Sequence, residues 1–223
     1  FARENGDGSI LIALIFFGVI MFGGELISVP FSYYRTFVIE ERFGFNRSTR
    51  KIFFTDMLKG WVLSALFGSA IISAIILLYE YLGPDFWIYA WGLVTAFSVV
   101  VNLLYSSVIV PLFNKQTPLE DGILKDQISD YAVKISFDIK DIFVIDGSKR
   151  SSKANAYFSG FGRKKRITLF DTLINDLEVS EIVAVLAHEV GHFKRKHIIF
   201  NLIMSAIITG LTFYVFSLFV SNP

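Results

Sequence analysis

The chain has 223 residues, and 53% of them are hydrophobic before any of its 16 glycines is counted, where soluble domains reach about 45–50% with glycine included. Only 18% are charged and the mean hydropathy is +0.56, which excludes intrinsic disorder and puts a membrane protein ahead of a soluble domain. The absence of cysteine excludes disulfides, thiolate metal sites and Cys nucleophiles, and a net charge of +1 gives no reason to expect nucleic acid as a partner.

The first residue is Phe rather than Met, so a processed chain or a fragment is expected. No secretory signal is evident, because no basic region precedes residue 9 and the first apolar run is too long. Four apolar stretches meet the length of about 20 residues that a membrane-crossing helix needs. They cover about 9–31, 60–82 and 86–112, followed by a further membrane helix in 198–223 that is apolar from Ile198 to Val220. Glu25 lies inside the first, where an ionisable side chain faces either a helix partner or a functional cavity.

Gly83, Pro84 and Asp85 leave room only for a tight turn between the second and third spans, which makes them an antiparallel hairpin. The 32–59 loop and the 113–197 segment then share one side. That loop carries six basic residues: Arg35, Arg42, Arg47, Arg50, Lys51 and Lys59. The positive-inside rule places both segments in the cytosol.

The 113–197 segment reads as a small α+β domain. Helical spacing runs over 121–137 through Ile123, Leu124, Ile128, Tyr131, Ala132 and Ile135. Strands are expected at 141–146, 154–159 and 166–170, the last two joined by a turn at 160–165. One long helix is expected over 179–197, with Ser180 as its N-cap.

All three histidines fall within 188–197. His188 and His192 frame an HExxH motif. On a helix, positions i and i+4 share one face about 5–6 Å apart, which suits two ligands of one Zn²⁺. Glu189, beside the first ligand, is the candidate general base for an attacking water and then the acid for the leaving amine. A continuous helix would turn His197 through about 900° from His188, onto the opposite face, so it reads as a non-ligand. Its spacing is also one residue short of HExxHxxGxxH. Catalytic zinc takes three protein ligands, and no third has diagnostic spacing. The expectation is a third ligand beyond Pro223.

Four ordered segments resemble the integral-membrane CAAX prenyl proteases: FVIEERFGFNRST at 37–49, PLFNKQTPLEDG at 111–122, SKANAYFSGFG at 152–162 and LAHEVGHFKRKH at 186–197. The resemblance implies a mainly α, polytopic α-helical membrane protein with a small α+β zincin-like metallopeptidase domain. It implies Zn²⁺ as cofactor, with a third ligand that is a Glu in a later Glu-x-x-x-Asp motif. It also implies an extended substrate held on the strand at Asn155, Ala156 and Tyr157. The partners are then a peptide or protein substrate, with a prenylated C-terminus the family's own, and the lipid bilayer. The active site would face the cytosol from a plasma membrane in a bacterium or the endoplasmic reticulum in a eukaryote. Two rival readings stand beside it. One is a quality-control protease like the bacterial heat-shock membrane protease HtpX family, and the other a non-catalytic membrane scaffold with an incidental HExxH.

Overall fold

A computed structural model describes residues 1–137, 139, 141–159 and 165–220. The chain divides into two compact units. One comprises Phe1–Ile39, Arg50–Val99 and the chain from Leu202, and the other Glu40–Thr49 and Val100–Asn201.

The first unit is helical. A short α1 (Ala2–Asn5) precedes α2 (Ser9–Tyr34), which continues as a π-helix over Arg35–Glu40. α3 covers Arg50–Leu82, a 3₁₀ turn Gly83–Asp85, and α4 Phe86–Leu104. α4 runs on through a π-helix at Tyr105–Ile109 into α5 (Val110–Phe113). Among the described residues, three stretches are long and apolar enough to cross a membrane, Ser9–Glu40, Arg50–Phe113 and His197–Val220. The middle one holds both α3 and α4 and turns back at Gly83, whose φ of +57° suits glycine. Phe67 on α3 meets Phe97 on α4 with ring centroids 5.7 Å apart.

The helices run past the apolar windows read from the sequence. Tyr34 is still helical and α3 begins at Arg50, so most of the expected 32–59 loop is helix. Hydropathy marks where lipid ends, whereas backbone hydrogen bonding continues into the polar layer.

Aromatic rings and small residues pack the bundle. Phe22 on α2 stands edge-on to Trp61 on α3, 5.1 Å between centroids. The Trp91 indole donates to the Ala206 carbonyl at 2.8 Å. Gly210 leaves room for that contact: a Cβ there would lie 3.0 Å from the indole nitrogen. Small residues permit such close approach where lipid supplies no hydrophobic drive between helices. Glu25 lines a cavity of about 510 Å³ between α2 and α3, together with Ser28, Trp61, Ser64 and Ser69.

The second unit is built on a four-stranded sheet of β1 (Gln116–Pro118), β2 (Asp141–Ile145), β3 (Ala156–Ser159) and β4 (Arg166–Phe170). Its order is β1-β2-β4-β3, with β2 and β4 parallel and the two outer strands antiparallel to their neighbours. β1 is an addition to the three expected strands; three residues with a proline carry no readable alternation. The turn expected at 160–165 lies, apart from Lys165, outside the described residues.

α6 (Ile123–Lys134), α7 (Asp171–Asp176) and α8 (Val179–Lys194) complete the unit, before α9 (His197–Val220) leaves it. Lys125 donates to Asp121 at 2.6 Å, and this bond and the ammonium's charge hold the Asp121 carboxyl below its usual range. Ile128, Ala156, Ile167, Leu169, Leu173, Ile182 and Leu186 form one buried core. Ile167 and Leu169 point into it from alternate positions of β4.

α8 opens on Glu178, whose carboxylate accepts from the Glu181 amide while Glu181 accepts from the Glu178 amide at 2.9 Å. Ser180 is therefore inside the first turn and is not the cap. The reciprocal pair satisfies two otherwise orphaned amides, which a lone serine two positions later does not.

Candidate metal centre

The buried stripe of α8 is Ile182, Leu186 and Val190, at intervals of four. His188 and His192 are offset from that stripe by two residues, about 200° around the helix. Core packing therefore turns both imidazoles outward, and both are exposed, while Glu189 between the two faces is half-buried. The Nε2 atoms of His188 and His192 converge to 3.1 Å. A tetrahedral zinc with nitrogens at about 2.0–2.1 Å holds two of them about 3.3 Å apart. The donor type, the facing atoms and their separation all fit zinc. Among the described residues no group of three His, Cys, Asp or Glu is gathered for a metal.

His197 departs from the sequence reading. The expected single helix over 179–197 ends at Lys194, and α9 starts anew at His197. Between them Lys196 adopts φ +57°, a left-handed conformation that ends a helix. The Arg195 amide closes back on Gly191 and Phe193, and the Lys196 amide on Phe193 at 2.9 Å. The ideal-helix argument that sent His197 to the far face fails at this break. The His197 Nδ1 lies 2.7 Å from His192 Nδ1, on the nitrogen that His192 does not turn toward His188. No glycine or proline marks the break; the sequence signal is only the switch from an amphipathic pattern to an all-apolar one at Ile198.

β3 is an edge strand among the described residues, and α8 packs against it. Phe193, next to His192, brings its ring 6.4 Å from that of Phe158 on β3. The Phe170 amide donates to the Asn155 carbonyl at 3.0 Å, so Asn155 and Phe170 form a hydrogen-bonded antiparallel pair. Such pairs alternate along the ladder, so Tyr157↔Thr168 is another and Ala156↔Leu169 and Phe158↔Ile167 are not. The backbone groups of Ala156 and Phe158 therefore point outward at the free edge. Of these the Ala156 amide is taken by the Asn155 side chain at 2.9 Å. Asn155 and Tyr157 turn their backbones inward, and the Tyr157 hydroxyl is buried. Phe158 was not singled out by the sequence reading; strand parity, which needs the register with β4, reveals it.

The strand's approach is fixed by the 40–49 loop. Asn46 bridges to Ser151, the Arg47 amide donates to the Arg150 carbonyl at 3.1 Å, and the Ser152 amide to the Phe45 carbonyl at 3.0 Å. Lys153 pairs with Glu40 at 3.0 Å. Two of the four motif segments, distant in sequence, thus meet beside β3.

Residues 1–115 match the family description "CAAX prenyl protease N-terminal, five membrane helices", and residues 118–222 match "Peptidase family M48". The chain belongs to the CAAX prenyl protease family. A "CAAX prenyl protease 1 homolog" of Oryza sativa subsp. japonica is 44% identical over 95% of this chain and 50% of its own length. "CAAX prenyl protease 1" of Saccharomyces cerevisiae is 42% identical over 98% of this chain and 48% of its own. A crystal structure of S. mikatae Ste24p superposes with a TM-score of 0.89 at 42% identity, covering 95% of this chain and 49% of that one. The chain therefore spans about half the length of the curated relatives it matches, and is a mainly helical, integral-membrane member of a peptidase family.

Proposed function

We propose that the protein is a membrane-embedded zinc endopeptidase that hydrolyses peptide bonds in prenylated, CAAX-type C-termini. The convergence of His188 and His192 Nε2 at 3.1 Å, on the helix turn that also carries the half-buried Glu189, carries this reading. The names of the relatives, CAAX prenyl protease 1 and CAAX prenyl protease 1 homolog, supply the substrate class.

His188 and His192 would hold the zinc, with a third ligand, a Glu in a Glu-x-x-x-Asp motif, from outside residues 1–223. Bound there, zinc would polarise a carbonyl and make water more acidic. Glu189 accepts a proton from the attacking water, whose oxygen adds to the carbonyl carbon. As the carbon–nitrogen bond breaks, Glu189 returns that proton to the leaving amine. The edge of β3 around Asn155, Ala156 and Tyr157 holds the substrate as an added strand, chiefly through the outward backbone groups of Ala156 and Phe158. Both the 40–49 loop and α8 lie in the cytosol, on the strength of the basic residues of 32–59; in a eukaryote the membrane is that of the endoplasmic reticulum.

The test is cleavage of a farnesylated peptide and its unprenylated twin by the whole protein and by Glu189→Gln. The wild type cleaves the farnesylated peptide preferentially, and the variant loses about 10²–10⁴-fold in rate. A variant that keeps more than about a tenth of the rate would refute the base, and equal cleavage of both peptides the substrate class.

A further inference from the structure

We propose that His197 is a positioning residue for the metal centre: its Nδ1 accepts a hydrogen bond from His192 Nδ1–H and so fixes the tautomer and ring orientation with which His192 presents Nε2. This rests on the zinc reading above and adds to it a role for the third histidine.

Two observations carry it. The first is geometric. His192 makes two nitrogen contacts in different directions, Nε2 toward His188 at 3.1 Å and Nδ1 toward His197 at 2.7 Å. An imidazole that gives its Nε2 lone pair to a metal must carry its proton on Nδ1. That proton points at His197, whose Nδ1 must then be a lone pair, with its own proton on Nε2. With Nε2 of His192 on the metal, the direction of this contact fixes both tautomers.

The second observation is the backbone that delivers the ring. α8 and α9 do not run together as one helix. Lys196 takes φ +57° without being glycine, a conformation disfavoured for a side chain of this kind. The first turn of α9 is then closed by the Phe200 amide on the Lys196 carbonyl at 3.0 Å. The last turn of α8 is held by Lys194, whose ammonium donates to the Ile135 carbonyl at 2.9 Å. His197 is thus the first residue of a new helix, tied on both sides, and its ring stands 4.8 Å from that of His192. Groups hydrogen-bonded to the second nitrogen of a metal-ligating histidine orient it, and their loss typically lowers metal affinity or activity about 10–100-fold.

The experiment uses the whole protein, purified with its metal. Zinc loss to a chelator is followed for the wild type, His197→Phe and His197→Asn. Phe keeps a ring without a nitrogen, while the Asn amide reaches the position of Nδ1. His197→Phe should release zinc about 10–100-fold faster, and His197→Asn should recover most of that loss. Circular dichroism and melting of the metal-free forms should match the wild type. In the unsubstituted protein, ¹⁵N imidazole spectra should show His192 protonated at Nδ1 and His197 protonated at Nε2 alone. Wild-type retention in His197→Phe, no recovery in His197→Asn, or a His197 proton on Nδ1 would each overturn the proposal. A wild type that holds no zinc would instead bring down the metal-centre reading on which it rests.

Discussion

A peptide that adds to the edge of β3 should feel the strand's parity. Within the described strand, Ala156–Ser159, Ala156 and Phe158 turn backbone groups outward, and the Ala156 amide is already bonded to the Asn155 side chain. That leaves the Phe158 amide and carbonyl and the Ala156 carbonyl for a substrate. One substrate residue then pairs with Phe158 through both its amide and its carbonyl, while the amide two residues along meets Ala156. The residue between them points its backbone to solvent. Replacing single substrate amides by esters removes one donor at a time without adding bulk. A net hydrogen bond is worth about 0.5–1.5 kcal/mol, which is about 2–13-fold in kcat/KM. Ester substitution should therefore cost about that factor at alternate positions and close to nothing between them. The assay is steady-state cleavage of an ester-scanned series of one farnesylated peptide by the whole protein. A flat profile, or equal losses at consecutive positions, would show that substrate does not lie on this edge as a strand.

Other outcomes are open to direct measurement. Gly210→Ala places a Cβ about 3.0 Å from the Trp91 indole nitrogen and should break its bond to Ala206, costing about 1–3 kcal/mol by overpacking; thermal unfolding in detergent reads this, and an unchanged melting temperature would contradict the α4–α9 contact. Single cysteines at Ser48 and Ser152 should resist an impermeant thiol reagent in intact cells and react after lysis. Labelling of either from outside would overturn the cytosolic assignment.

The meeting of His188 and His192 was legible in the sequence because an i, i+4 histidine pair needs only one turn of helix, and α8 supplies that turn. The membrane helices were legible for a similar local reason: Ile, Leu, Val and Phe leave no polar face to bury. Their ends were not, because Tyr34 and Arg50 are helical through hydrogen bonds that hydropathy does not report. β2, β3 and β4 could be read as short β-branched and aromatic runs, whereas β1 exists only because Gln116–Pro118 pairs with Phe143, Val144 and Ile145. The position of His197 could not be read at all. It depends on one left-handed residue, Lys196, in a run of three basic residues that carries no turn signal. The outward roles of Ala156 and Phe158 needed the register against β4, and the meeting of the 40–49 loop with Arg150–Lys153 is a tertiary fact with no local trace.

The central claim is that His188 and His192 hold one zinc beside Glu189. Metal analysis of the whole protein, with His188→Ala, His192→Ala and Glu189→Gln, tests it most directly. About one zinc per chain is expected in the wild type and in Glu189→Gln, because the amide leaves both imidazoles in place. Each histidine variant should lose it, since two protein ligands would remain where catalytic zinc takes three. Zinc retained by either histidine variant, or missing from the wild type, would contradict the account.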